Sequence, residues 1–143
     1  MKKSLMKVGF LMALSTMVFL LASCNNKEAQ LQKEVEKAAK DCPITAAEGM
    51  TISQITYDKV NIIYACDVDE TLYDVNTLIE NKAKMKEAIL GYFAQSGAAD
   101  KDVKALIDLC VECRKGIVYR YVGTTTGTTC ELGIGPDELK SVQ

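Results

Sequence analysis

Apolar positions change their period several times along the chain, and each change marks a segment. Residues 1–23 carry a near-continuous apolar run, VGFLMALSTMVFLLA, behind Lys2, Lys3 and Lys7. A short run with basic residues before it and a small residue after it has the layout of a secretory signal, not of a membrane-spanning helix. Next, KEAQLQKEVEKAAKDC puts Leu31, Val35, Ala38, Ala39 and Cys42 on one narrow helical stripe among Lys and Glu. A stripe this thin buries little by itself. Residues 26–42 are therefore expected to form a tether helix with its distal end open to docking on the domain, stopped by Pro43 and followed by a linker as far as Gly49.

The stretch GMTISQITYDKVNIIYACDV is rich in Ile, Thr, Tyr and Val and predicts two strands, Met50–Tyr57 and Val60–Val68. They form an antiparallel hairpin around Asp58-Lys59, although that turn lacks the glycine the tightest hairpins prefer. From Asp74 the period becomes helical: Val75, Leu78, Ile79, Met85, Ile89, Leu90 and Phe93 recur on one side. Asp74 or Thr77 serves as N-cap, Glu80 completes a capping box with Thr77, and Gly91 and Gly97 mark the end. A second helix begins near Asp100, with Val103, Leu106, Ile107, Cys110 and Cys113 on its apolar face. GIVYRYV, the turn-prone GTTTG and TTCELGIG then read as another hairpin, and PDELKSVQ as a closing turn. The order β-β-α-α-β-β predicts an α+β domain over residues 50–143, a four-stranded antiparallel sheet with two helices on one face.

The chain has 17 basic and 19 acidic residues, but three of the lysines and none of the acids lie in residues 1–23. Removal of that segment leaves 14 against 19, an acidic balance that argues against nucleic acid as a partner. The absence of histidine excludes histidine general bases, Ser-His-Asp triads and imidazole metal sites. The absence of tryptophan leaves only tyrosine and phenylalanine for stacking on sugars.

Leu21-Ala22-Ser23-Cys24 resembles the bacterial lipobox. That resemblance implies a diacylglyceryl thioether and an acylated amino group, palmitate-like chains, on Cys24. Several acyl chains hold a protein at a membrane far more firmly than one. Position 25 is asparagine and not the aspartate that retains lipoproteins at the inner membrane of enteric bacteria, so the resemblance points to the outer membrane. Asn25-Asn26-Lys27-Glu28 also loosely resembles the surface-export signals of Bacteroides-like lipoproteins, which leaves periplasmic face and cell surface both open.

Within DVDETLYD, the D-x-D-x-T spacing resembles the first motif of the haloacid dehalogenase superfamily. That resemblance implies Asp67 as nucleophile, Asp69 as acid/base, and magnesium held by both. It covers about a dozen residues. The superfamily core is doubly wound, each βαβ unit takes about 30 residues or more, and no G-D-x-x-x-D follows. Two other readings suit the same acids. Asp69, Glu70 and Asp74 sit before a predicted helix, where its dipole favours negative charge. Asp67, Asp69, Glu70 and Asp74 also supply oxygens of the kind calcium takes, without EF-hand spacing. No cofactor is expected.

Cys110-Val111-Glu112-Cys113 lies at the C-terminal end of its predicted helix, where the dipole raises a thiol pKa, so core packing is expected over redox or zinc chemistry. Six cysteines less Cys24 leave five, enough for at most two bridges; Cys66 with Cys130, and Cys42 with Cys110 or Cys113, are the candidate pairs. Strand alternation separates Ile117, Tyr119 and Tyr121 from Val118, Arg120 and Val122. Tyr119, Arg120, Tyr121 and Thr125 are the candidate binding residues, although the tyrosine face also suits a core. Taken together, the tether, Pro43, the ITYDKVNIIYACDVDE hairpin, the helical pair and GIVYRYVGTTTG resemble small envelope lipoproteins of Bacteroides-like bacteria whose function is unknown. That resemblance bears on address and fold and leaves activity open; the chain as a whole is expected to be a lipid-anchored, non-enzymatic binding module, with the membrane and an envelope protein or small ligand as partners.

Overall fold

In the computed structural model, which describes residues 27–143, the centre of the fold is a parallel strand pair. The signal segment and Cys24 lie outside the described residues. The elements run α1 (Lys27–Ala39), β1 (Ile44–Ala47), β2 (Met50–Tyr57), β3 (Asn61–Val68), α2 (Val75–Glu80), α3 (Lys82–Ala99), α4 (Lys101–Glu112), β4 (Gly116–Gly123), β5 (Thr129–Ile134) and α5 (Pro136–Lys140). The five strands lie side by side in chain order. The α+β class is as expected, but the four-stranded antiparallel sheet is not: β3 and β4 are parallel, from Asn61↔Gly116 to Val68↔Gly123. The helices between them return the chain to the end where β3 began, so β4 must run in the same direction. A bond from Gly116 N–H to the Val60 carbonyl, 2.9 Å, fixes that start.

The fifth strand is β1, in the stretch expected to be a linker; it pairs antiparallel with β2 through a turn at Gly49, whose φ of +81° favours glycine. The β2–β3 turn closes without glycine because Asp58 Oδ1 accepts from Val60 N–H and Asn61 N–H at 2.7 and 2.6 Å. The expected helix from Asp74 is two helices. Asp74 caps α2 by accepting from Asn76 N–H, and Asn81 closes α2 onto the Thr77 carbonyl and opens α3. Helix α3 then passes through Gly91 and Gly97 to Ala99. The second expected helix is α4, with Asp100 accepting from Asp102 and Val103 N–H.

The expected tether docks along its length and not at its distal end alone. Leu31, Val35 and Ala38 of α1 are buried in the same apolar cluster as the sheet, so α1 belongs to the domain. The thin stripe suffices because β2 and α4 present apolar surface to receive it. The core continues through Ile52, Tyr64, Val68, Phe93, Ile107, Tyr119 and Leu139, with Tyr64 and Tyr119 stacked at 5.4 Å between ring centroids. All of this lies on one face of the sheet.

Candidate functional site

Among the described residues no helix covers the opposite sheet face, and strand register orders it into rows. Thr56, Ile63, Val118 and Gly133 form one, Gln54, Ala65, Arg120 and Glu131 the next, and Thr51, Asp67, Val122 and Thr129 the third. These side chains are exposed or half-buried, whereas their neighbours Ile62, Tyr64, Cys66, Ile117, Tyr119 and Tyr121 point into the core. Arg120 donates from Nε to Glu131 Oε2 at 2.6 Å across β4 and β5. The result is a shallow surface, aliphatic at Ile63, Ala65, Val118 and Val122, with one ion pair in its middle row. Gly133 leaves it open beside Val118, whose Cγ2 would stand 4.0 Å from a Cβ at that position.

The four candidate binding residues are divided by this arrangement. Tyr119 and Tyr121 are buried to within 1% of full burial, so they belong to the core and not to a surface. Arg120 faces out on the open sheet, and Thr125 lies in the exposed β4–β5 turn. Burial raises the hydroxyl pKa of both tyrosines. Tyr121 Oη is the one buried side-chain polar atom without a hydrogen-bond partner among the described residues.

The chain leaves β3 and β4 at the same end of the sheet, and there the acidic and threonine loops meet. Glu70 accepts from Thr125 N–H, Thr126 N–H and Thr126 Oγ1, each at 2.7 Å. Thr124 N–H and Oγ1 both reach the Val68 carbonyl, at 3.0 and 3.2 Å. Gly123 leaves room for this latch, because a Cβ there would come within 2.5 Å of the Glu70 carboxyl carbon and that side chain would have to shift. Asp69 Oδ1 instead accepts from Thr71 N–H and Oγ1, and Asp74 is the cap of α2. The four acids from Asp67 to Asp74 are thus spent on different partners or directions, and among the described residues no group of three or more Cys, Asp or Glu is placed to hold a metal ion. Nor is β3 the nucleophile strand of a doubly wound sheet, since its second neighbour, β2, is antiparallel.

The five described cysteines are free thiols. Cys66 and Cys130, a candidate pair, both face Tyr121 from strands on either side of β4. Two strand spacings, about 9.6 Å, exceed what a disulfide spans. Burial pushes the Cys66 and Cys110 thiols up to about 12, with the charges of Asp67 and Cys113 respectively adding to it.

Sequence reasoning missed a cluster at the other end of the sheet. Helix α4 ends in a Schellman pattern, Lys115 N–H to the Cys110 carbonyl and Arg114 N–H to the Val111 carbonyl, with Arg114 at φ 54°. This turns Lys115 inward, its side chain only 5% exposed. There it donates to the Asp58 and Lys59 carbonyls, pairs with Glu28 at 3.2 Å and lies 5.0 Å from the centre of the Tyr57 ring. A lysine just after a helix gives no sequence signal for such a role.

No family model and no curated protein matches the sequence. Two solved structures resemble the fold. One is a Pseudomonas aeruginosa protein provisionally described as secreted, 14% identical, TM-score 0.55, matched over 82% of this chain and 99% of its own. The other is the type II secretion system pilotin AspS from Vibrio cholerae, 11% identical, TM-score 0.50, matched over 79% of this chain and 92% of its own. At these identities the likeness is one of fold alone, an α+β architecture.

Proposed function

We propose that this protein is a lipid-anchored module of the bacterial cell envelope that binds another envelope protein or a small ligand through the open face of its sheet, without catalysing a reaction. The observation that carries the reading is the helix-free surface built on Ile63, Ala65, Val118 and Val122 around the Arg120–Glu131 pair. Half-buried aliphatic side chains on a rigid sheet, rimmed by polar groups, have the composition of a protein-binding patch. The lipobox-like Leu21-Ala22-Ser23-Cys24 supports an anchor at Cys24 and an outer-membrane location, on the periplasmic face or at the cell surface. The pilotin and the Pseudomonas protein lend support as proteins of similar fold.

The test combines binding with chemistry. A partner recovered by the wild type is purified and titrated against Val118→Glu and Arg120→Ala. The reading expects at least tenfold weaker binding by Val118→Glu with an unchanged melting temperature; equal affinities would remove this face from consideration. In parallel, a generic phosphate ester with magnesium is offered to wild type and to Asp67→Asn. Turnover lost in the mutant would establish the phosphatase instead.

A further inference from the structure

The folded domain starts so soon after Cys24 that its attitude to the bilayer is constrained. Two residues lie between Cys24 and Lys27, three Cα steps that span at most about 11 Å even when fully extended. Lys27 is held by Glu112 at 3.2 Å, and Glu28 by Lys115 at 3.2 Å and by the Tyr57 hydroxyl, which donates to it at 3.3 Å. The first turn of α1 is thereby fastened to the β2–β3 turn and to the end of α4.

The end of the molecule gathered there suits a headgroup layer. Val60, at the tip of the β2–β3 turn, is 62% exposed, and with Ile79 it is one of two large apolar side chains so exposed among the described residues. Exposed Lys59 and Arg114 flank it, long side chains that keep their charge in the polar layer while their stems lie on apolar surface. Lys59 and Arg114 are this end's exposed cations, beside the Lys27–Glu112 and Lys115–Glu28 pairs, and the acids Asp137 and Glu138 with Lys86 lie farther along the same end, past β5. The opposite end is acidic, with Asp67, Asp69, Glu70 and Asp74 gathered where β3 ends. Eight-residue strands put the two ends about 26 Å apart.

Resting on the anchor at Cys24 proposed above, we infer that the end formed by the β2–β3 turn, the start of α1 and the Arg114–Lys115 corner is a membrane-contact surface. Val60 sits among the phospholipid headgroups of the leaflet that holds the acyl chains, while Lys59 and Arg114 meet their phosphates. β3 and β4 then run away from the bilayer, and the Glu70–threonine latch is presented outward.

The chain has no tryptophan, so one introduced residue reports alone. Full-length mature lipoprotein carrying Val60→Trp or Thr125→Trp is reconstituted into phosphatidylethanolamine and phosphatidylglycerol vesicles with brominated acyl chains, after intact mass confirms the lipid on Cys24 and thermal melts confirm folding. The inference expects blue-shifted, bromine-quenched emission at position 60, at least threefold stronger than at position 125. Equal quenching, no quenching at position 60, or stronger quenching at position 125 in a lipidated, folded protein overturns the orientation and leaves the anchor intact. A mature protein without lipid mass overturns both.

Discussion

Lys115 Nζ lies 3.2 Å from Glu28 Oε1, joining the first turn of the N-terminal helix to the residue that precedes β4. The two partners are unequal: the lysine side chain is 5% exposed and the glutamate 62%. The lysine also caps two carbonyls of the β2–β3 turn, which lose that donor if it is removed. Lys115→Met is therefore expected to lower unfolding free energy by about 1–3 kcal/mol, and Glu28→Gln to have a much smaller effect. Chemical denaturation of both variants checks this; equal losses would mean that the surface ion pair, and not the buried capping, stabilises the corner.

Helix α1 is tested through Leu31, which is fully buried. If the helix belongs to the core, Leu31→Ala costs about 2–5 kcal/mol. A free tether predicts no change in the melting temperature.

Tyr121 points a hydroxyl into the core with no partner. Replacing it with phenylalanine removes an unsatisfied polar atom and keeps the ring, so Tyr121→Phe is expected to leave stability unchanged or raise it by about 1 kcal/mol. A clear loss in a thermal melt would reveal a partner for that hydroxyl.

The acid side of the stability profile follows from depressed carboxylates. The Lys86 ammonium at 2.8 Å, aided by the Gly135 N–H, holds Glu138 below its ordinary value of 4.5; Lys115 does the same for Glu28, through its hydrogen bond and its charge. In each case the fold favours the charged form, so the unfolded chain takes up protons first as pH falls. Stability is expected to be full above the ordinary value and to decline as pH drops from about 4.5 through the lower folded values. Melting temperatures across that range should fall, and fall less steeply in Glu138→Gln; a wild-type profile that stays level would contradict the assignment.

Gly123 and Glu70 give a local test. Gly123→Ala places a methyl against the carboxyl group that binds the Thr125 and Thr126 amides. Hydrogen exchange at those two amides is expected to accelerate at least tenfold while exchange in α4 stays unchanged. Unaltered protection would show that the latch adjusts without opening.

The sequence was informative where the physics is local. Alternation of β-branched and aromatic residues marked β2 and β3 to within one residue, and the apolar face from Val103 to Cys113 marked α4. What it missed depends on distant partners. Periodicity identifies a strand but not its neighbour, so the parallel pairing of β3 with β4 was illegible, and the four residues of β1 are too few to carry a pattern. Leu31, Val35 and Ala38 make a stripe equally suited to a loose helix or a docked one; the surface offered by β2 and α4 decides. For the candidate site, alternation correctly separated Arg120 from the tyrosines, but only the one-sided layering of the helices shows which set is open.

The binding role of the open face is tested most directly in the intact envelope, with a photo-crosslinking amino acid placed at Val118 and, as reference, at exposed Glu87 on α3. The account predicts one dominant adduct from position 118 that is absent from position 87 and disappears with a Val122→Glu background. Adducts of the same identity and yield from both positions, or from neither, would contradict it.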